Sequence, residues 1–267
     1  MAPIETVRSK DGTSIAFERR GHGPPLVMVH GTTLDHTRWG GVVGRLAERF
    51  TLLMVDRRGR GASGDGPVYS IEREFEDVVA VLESTEVPAY VLAHSYGAIC
   101  ALEALRQTGR IAKVVLYEPP LPLPGRGQIF AADLGHRLEA LLAAGDRDGV
   151  VATFMREVIR MSEHEIVSMR RTSSWAVRLS AAHTIPREVA VANTYRFRAE
   201  SFAQVRVPAL FIVGSLSPAY MHEATTMASA ALAGSQVESL RGQGHAAIAT
   251  GPRVFLEKVL PFLGVNP

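Results

Sequence analysis

Residues Ala93-His94-Ser95-Tyr96-Gly97 follow the apolar run Tyr90-Val91-Leu92 and lead straight into Ala98-Ile99-Cys100-Ala101-Leu102-Glu103-Ala104-Leu105. The run has strand character and the octad reads as a helix, so one serine stands where a strand turns sharply into a helix. That is the setting of a nucleophile elbow, usually written G-x-S-x-G. Ala93 takes the place of the first glycine, and the turn is expected to accept nothing larger than a methyl group two residues before or after the serine. Serine is also a favoured helix N-cap. The meaning of the pentapeptide therefore depends on what surrounds it.

Outward from the elbow, short apolar runs recur at Leu26-Val27-Met28-Val29, Leu52-Leu53-Met54-Val55, Val114-Val115-Leu116-Tyr117 and Ala209-Leu210-Phe211-Ile212-Val213, with a weaker one at Gln236-Val237-Glu238-Ser239-Leu240. Continuous apolar strands are expected where both faces of a parallel sheet are covered. Helical patterns lie between them, around Val42 to Arg49, Phe75 to Leu82, Ala98 to Arg106, Glu223 to Ala233 and Val254 to Leu263. Ahead of them, Glu5-Thr6-Val7-Arg8 and Ser14-Ile15-Ala16-Phe17-Glu18 flank Asp11-Gly12, a hairpin signal. The whole reads as an α/β chain with a mainly parallel, helix-covered sheet. The rhythm breaks after Pro119-Pro120-Leu121-Pro122-Leu123-Pro124-Gly125, which can be neither helix nor central strand. Helices are expected at Ile129 to Ala144, Gly149 to Met161 and Glu163 to Ser180. The expected organisation is a core of residues 1–118 and 207–267 with a helical cap, 119–206, inserted into it.

The 267 residues suffice for one α/β core with an insertion. A formal charge of +2 is too small to point to nucleic acid or an anionic membrane. Cys100, alone of its kind, reads as a small buried hydrophobe and not as a reactive thiol. The start Met-Ala-Pro-Ile-Glu has no basic and apolar leader pattern, and no apolar run reaches membrane-spanning length, so the expectation is a cytoplasmic protein. Oligomeric state stays open, with a homodimer among the options.

A serine hydroxyl needs a base within hydrogen-bond reach. Of nine histidines, His245 in Arg241-Gly242-Gln243-Gly244-His245-Ala246 follows the last weak strand within a glycine-rich turn and lies C-terminal to the serine. His94 adjoins Ser95, but an elbow turns flanking side chains away from the hydroxyl. An oxyanion needs N–H donors, and the turn Val29-His30-Gly31-Thr32-Thr33 closes an earlier strand. The amides of Thr32 and Tyr96 are the natural pair. Gly59-Arg60-Gly61-Ala62-Ser63-Gly64 matches G-x-G-x-x-G, yet Asp65-Gly66-Pro67 prevents the helix that a dinucleotide site requires. Metal-binding spacings such as H-E-x-x-H or paired cysteines do not occur. Neither a cofactor nor a metal is expected.

His30-Gly31 after one strand, Asp56-Arg57-Arg58-Gly59-Arg60-Gly61-Ala62-Ser63 after the next, the elbow at Ser95 and Gly244-His245 near the end together resemble the α/β-hydrolase family. The likeness covers nearly the whole chain apart from the insertion. It implies a mostly parallel eight-stranded sheet, a lid over the site, no cofactor, and acyl or related chemistry through Ser95. One departure stands out. The family usually places its acid shortly after the strand that here ends Val213-Gly214, and Ser217 occupies that position. Glu118, closing Lys113-Val114-Val115-Leu116-Tyr117 at the same sheet edge, is the best substitute, as in the zearalenone-opening lactonases that this feature resembles. Glu223 and Asp56 are weaker candidates.

The expected activity is hydrolysis of an ester or lactone of a fairly apolar small molecule through an acyl-enzyme on Ser95. Phe154, Met155 and Trp175 are the expected substrate contacts, with Phe130, Met161 and Met169 as further candidates. Two alternatives come with the same scaffold: a ligand-binding protein with an impaired triad, and a cofactor-free reaction such as C–C bond hydrolysis. They part at Glu118. A carboxylate that reaches His245 favours an enzyme, and one that points into solvent favours a receptor.

Overall fold

The computed structural model describes residues 3–265. Its eight strands are β1 Ile4–Arg8, β2 Ser14–Gly21, β3 Pro25–Val29, β4 Thr51–Val55, β5 Ala89–His94, β6 Ile111–Tyr117, β7 Ala209–Gly214 and β8 Gln236–Leu240. They form one sheet in the order β1-β2-β4-β3-β5-β6-β7-β8. The β1–β2 and β2–β4 pairs are antiparallel and all the others are parallel. The hairpin read at Asp11-Gly12 and the eight-stranded, mostly parallel sheet are both present.

Continuous apolar strands follow from coverage of both faces. Side chains alternate across a strand, and in β3 Val27 and Val29 enter one core while Leu26 and Met28 enter the other. Leu53 and Val55 of β4, Val91 and Ala93 of β5, and Val114 and Leu116 of β6 join the first core. It is roofed by helices Ile71–Glu83, Tyr96–Ala104 and Ala219–Ala230, while Val43–Ala47 and Pro252–Leu263 cover the second. The weak pattern of β8 has a plain cause: it is an edge strand, and Val237 is exposed.

Between β6 and β7, residues 119–206 contain no strand among the described residues. Their α-helices are Leu134–Ala143, Arg147–Glu157, Glu163–Met169, Ser173–Ala181 and Ile185–Thr194, and they have a hydrophobic core of their own. Two expectations need correction. The single helix expected over Glu163 to Ser180 is two, because the Thr172 hydroxyl bonds the Met169 carbonyl at 2.7 Å and competes with helical bonding at the break. Ile185–Thr194 was not expected; it opens with Pro186 in its first turn, a position where the missing N–H costs nothing.

Register sets up the site. His94 pairs with Tyr117, and Tyr117 with Ile212, so Ser95 and Glu118 emerge side by side from neighbouring strands. The Ser95 N–H donates to Tyr117 O at 2.8 Å and the Glu118 N–H to Ile212 O at 3.1 Å. Ser95 has φ 56° and ψ −126°, a strained backbone for a non-glycine residue. The size limit around it is tighter than expected on one side. A Cβ on Gly97 would lie 2.3 Å from His30 O and 2.6 Å from Val29 O, so even methyl is excluded there. Ala93, fully buried, fits the first core. Overpacking typically costs about 1–3 kcal/mol. We expect Gly97→Ala to reach the upper end of that range or to block folding, while Ala93→Gly costs only about 0.5–1 kcal/mol; urea denaturation of the two variants measures both.

Candidate active site

Glu118 closes β6 with φ 48°, another non-glycine residue at positive φ. Its side chain is fully buried and carries no idle oxygen. Oε2 lies 2.5 Å from His245 Nδ1, while Oε1 accepts from the Gly214 N–H at 2.7 Å and from the Ser217 hydroxyl at 2.5 Å. Burial pushes this carboxyl toward its neutral form. The contacts to His245, Ser217 and Gly214 outweigh that effect and hold its pKa below the ordinary value. Ser217 therefore does not replace the acid; it donates to it.

With Nδ1 engaged by Glu118, His245 keeps Nε2 for the cavity that it lines together with Ser95. No hydrogen bond joins Ser95 Oγ to His245 among the described residues. Such contacts often tighten only when substrate binds. The His245 loop is braced on several sides. The Tyr117 hydroxyl donates to Gly244 O and accepts from the Ala247 N–H, and His94 Nε2 lies 2.9 Å from His245 O. The His94 ring packs 4.6 Å from that of His245. Burial, then the neighbouring His245 and Arg38, drives the His94 pKa well down, so it is a neutral brace.

Thr32 and Tyr96 line one cavity with the serine. Tyr96 begins its helix, so its N–H has no intrahelical acceptor. Thr32 lines the cavity. Gly31 permits the approach, since a Cβ there would meet Ser95 Cβ at 2.7 Å. Behind Tyr96 lies a buried ionic cluster. Arg57 packs 4.6 Å over the Tyr96 ring, bonds Glu74 through two nitrogens at 2.8 and 2.6 Å, and reaches Glu188 at 2.5 Å. Arg60 also bonds Glu188, which sits on Ile185–Thr194 and ties the inserted helices to the core.

The cavity has two lobes that share Thr32, Ser95, Phe154, Ile159 and His245. The narrow one, about 60 Å³, continues past Phe130, Val189 and Met221. The wide one, about 530 Å³, continues past Met155, Met161, Arg38 and Arg178 and falls in the range of small-molecule sites. Phe154 and Met155 thus reach the cavity. Trp175 lines neither lobe: it is packed in the core of the inserted helices with Nε1 donating to Asp148 at 2.9 Å. An indole at helical spacing looks the same in sequence whether it faces substrate or its own core. Glu223, the weaker acid candidate, pairs instead with Arg126. Asp35, His36 and Asp56 bring ligand-type atoms within 4.8 Å of one another. Their atoms already hold the local loops, as Asp56 accepts from the His36 and Ala62 amides and Asp35 from that of Thr37.

A family model described as the alpha/beta hydrolase family matches residues 26–258. The chain belongs to that family. An α/β hydrolase structure from Sphaerobacter thermophilus is 32% identical, covering 97% of this chain and all of that one, with a TM-score of 0.85. The pimeloyl-[acyl-carrier protein] methyl ester esterase of Aeromonas salmonicida is 25% identical over 94% of this hydrolase and the whole of the relative. The probable oxidoreductase EphD of Mycobacterium tuberculosis is 38% identical over 119 residues, 42% of this chain, and that match spans only a fifth of the relative's length. No helix among the described residues is long and apolar enough to cross a membrane.

Three supports of the site were not anticipated: Tyr117, His94 and the Arg57–Glu188 contact. Their partners lie up to 151 residues away, and only the assembled sheet reveals them. Removing one member of a buried ion cluster costs about 3–5 kcal/mol, whereas an exposed pair is worth about 0–1 kcal/mol. Glu188→Gln should therefore lower unfolding free energy by several kcal/mol and Glu257→Gln, which breaks the exposed Arg253 pair, by less than about 1 kcal/mol. A further expectation concerns pH. Because the folded-state pKa of Glu118 is depressed, its contribution is present above the ordinary value of 4.5 and is lost as pH falls through the folded value. The stability gap between the wild type and Glu118→Gln should narrow in acid, as denaturation at a series of pH values will measure.

Proposed function

We propose that this hydrolase cleaves a small-molecule ester or lactone by a serine acyl-enzyme route. The contact between Glu118 and His245 carries the reading. It supplies the oriented, charge-stabilised imidazole that a serine nucleophile requires, and it favours an enzyme over a receptor with an impaired triad. Full-length similarity to a methyl ester esterase adds support for ester chemistry.

In this scheme Ser95 Oγ attacks the substrate carbonyl as His245 Nε2 takes its proton. The negative charge that develops on the carbonyl oxygen is met by the Thr32 and Tyr96 N–H groups. Collapse of the tetrahedral intermediate breaks the C–O bond, and His245 returns the proton to the departing alkoxide. Water then attacks the acyl-Ser95 ester, its proton passing through His245 to Ser95, and the carboxylic acid leaves. Glu118 holds the imidazole in one tautomer and stabilises its cation. The helices within 119–206 act as the cap, and Phe154 serves both lobes.

A fluorophosphonate probe should modify Ser95, located by peptide mass mapping, and the Ser95→Ala protein should take no label and show no turnover. Glu118→Gln keeps the shape but removes the charge, and should lower kcat by about 10²–10⁴-fold, in line with acid-to-amide changes in comparable triads. Ser217→Ala removes one of three donors to Glu118 and should cost far less. Absence of labelling at Ser95 together with intact folding would overturn the reading.

A further inference from the structure

Two arginines in the wide lobe have no protein counter-charge. Arg38 lies on the short helix His36–Gly41 of the core, and Arg178 on the inserted helix Ser173–Ala181. Both line the lobe that contains Ser95 and His245. Among the described residues no carboxylate lies within 4.0 Å of either guanidinium. Among the described residues the Arg38 side chain makes no hydrogen bond, and the Arg178 side chain makes one, to the neutral hydroxyl of Thr33. The Nε of each is buried without an acceptor. Arg38 and Arg178 are half-buried, whereas the fully buried Arg57, Arg58 and Arg60 each hold a carboxylate.

Burial brings the pKa of Arg38 down to about 10, and that of Arg178 falls to about 10 through burial and then the repulsion of Arg38. Both remain cations at neutral pH. A third charged group on this lobe, Glu165, has its carboxylate engaged by the Ser162 amide at 2.8 Å and hydroxyl at 2.7 Å in a helix cap. His94 faces the same lobe as a neutral ring. The remaining wall is largely apolar, with Met155, Ile159, Met161 and Met169. Two half-buried guanidinium groups on one wall repel each other, and an anion held between them relieves that repulsion.

We infer that Arg38 and Arg178 bind an oxyanionic group of the substrate, a carboxylate or a phosphate, so that the hydrolase acts on anionic esters. The planar guanidinium fork suits either group. One fork comes from the core and the other from the inserted helices, so the anion joins the two. The narrow lobe receives the uncharged end of the substrate. The expected substrate is thus amphiphilic rather than generally apolar. The inference rests on the hydrolase reading of Ser95.

Matched probes test it. Mono-4-nitrophenyl glutarate and 4-nitrophenyl methyl glutarate differ only in a charge on the acyl side. 4-Acetoxybenzoate and its methyl ester differ in a charge on the leaving side, and 4-nitrophenyl 3-phosphonopropanoate compares a phosphorus oxyanion with the carboxylate. In at least one pair the charged ester should have the higher kcat/KM by tenfold or more. That preference should fall at least tenfold in Arg178→Met and in Arg38→Met, and Arg178→Lys should restore part of it. Equal rates in both pairs, with the phosphonate no faster, or a preference that survives both methionine variants, would overturn the inference.

Calorimetric titration of the Ser95→Ala protein with glutarate keeps the two claims separate. Glutarate binding that disappears in Ser95→Ala/Arg178→Met supports the anion site even if no ester is turned over. Turnover of neutral esters without glutarate binding supports the hydrolase and removes the anion site. Thermal melts guard against misfolding, and replacing Arg38 by Met, which deletes an unpaired half-buried charge, should not lower Tm.

Discussion

The site depends on one buried carboxylate remaining ionised. Glu118 has no contact with solvent, and burial alone would favour the neutral acid. Three donors from two segments prevent this: an amide at the end of β7, a hydroxyl just beyond it and an imidazole from the loop after β8. Each would lose its acceptor if the carboxylate moved. The same bonds that keep the charge therefore hold three strand ends together. A carboxylate at the end of β6 also changes what is useful after β7. A second carboxylate at position 217 would repel Glu118, whereas a hydroxyl donates to it. Glu118 and Ser217 are two halves of one solution.

Much of this could be read from the sequence, for reasons that also explain the rest. Strands β3 to β7 show themselves as apolar runs because both faces are buried, and the elbow shows itself because a sharp turn needs small residues at fixed spacing. The position of Glu118 beside Ser95 was legible from its place at a strand end in a parallel sheet, where neighbouring C-terminal ends share an edge. Ile185–Thr194 was not legible, since it is short and carries charged and polar residues among its apolar ones. One of these, Glu188, is buried only because Arg57 and Arg60 meet it from 131 and 128 residues away. Trp175 was misplaced because the helices between β6 and β7 have a core of their own, and helical spacing does not say which face meets substrate. The role of Ser217 was hidden because a serine in place of an acid reads as a loss until its partner is seen.

The arginines show how burial acquires different meanings in one chain. Arg57, Arg58 and Arg60 are structural cations, each balanced by carboxylates that never leave. Arg38 and Arg178 lack that balance and border the nucleophile. Arginine content and net charge were identical evidence for all five. Only the inventory of partners separates a charge that completes the fold from one left available.

The ion cluster at Glu188 also bears on how firmly the insertion is held. Lifting Ile185–Thr194 from the core would strand Arg57 and Arg60 without a counter-ion in a dry interior, a cost comparable with much of a domain's net stability. That side of the insertion is anchored by charge. Met161 and Met169, by contrast, line the wide lobe with unbranched thioether side chains, which change rotamer at little cost and fit themselves to what they touch.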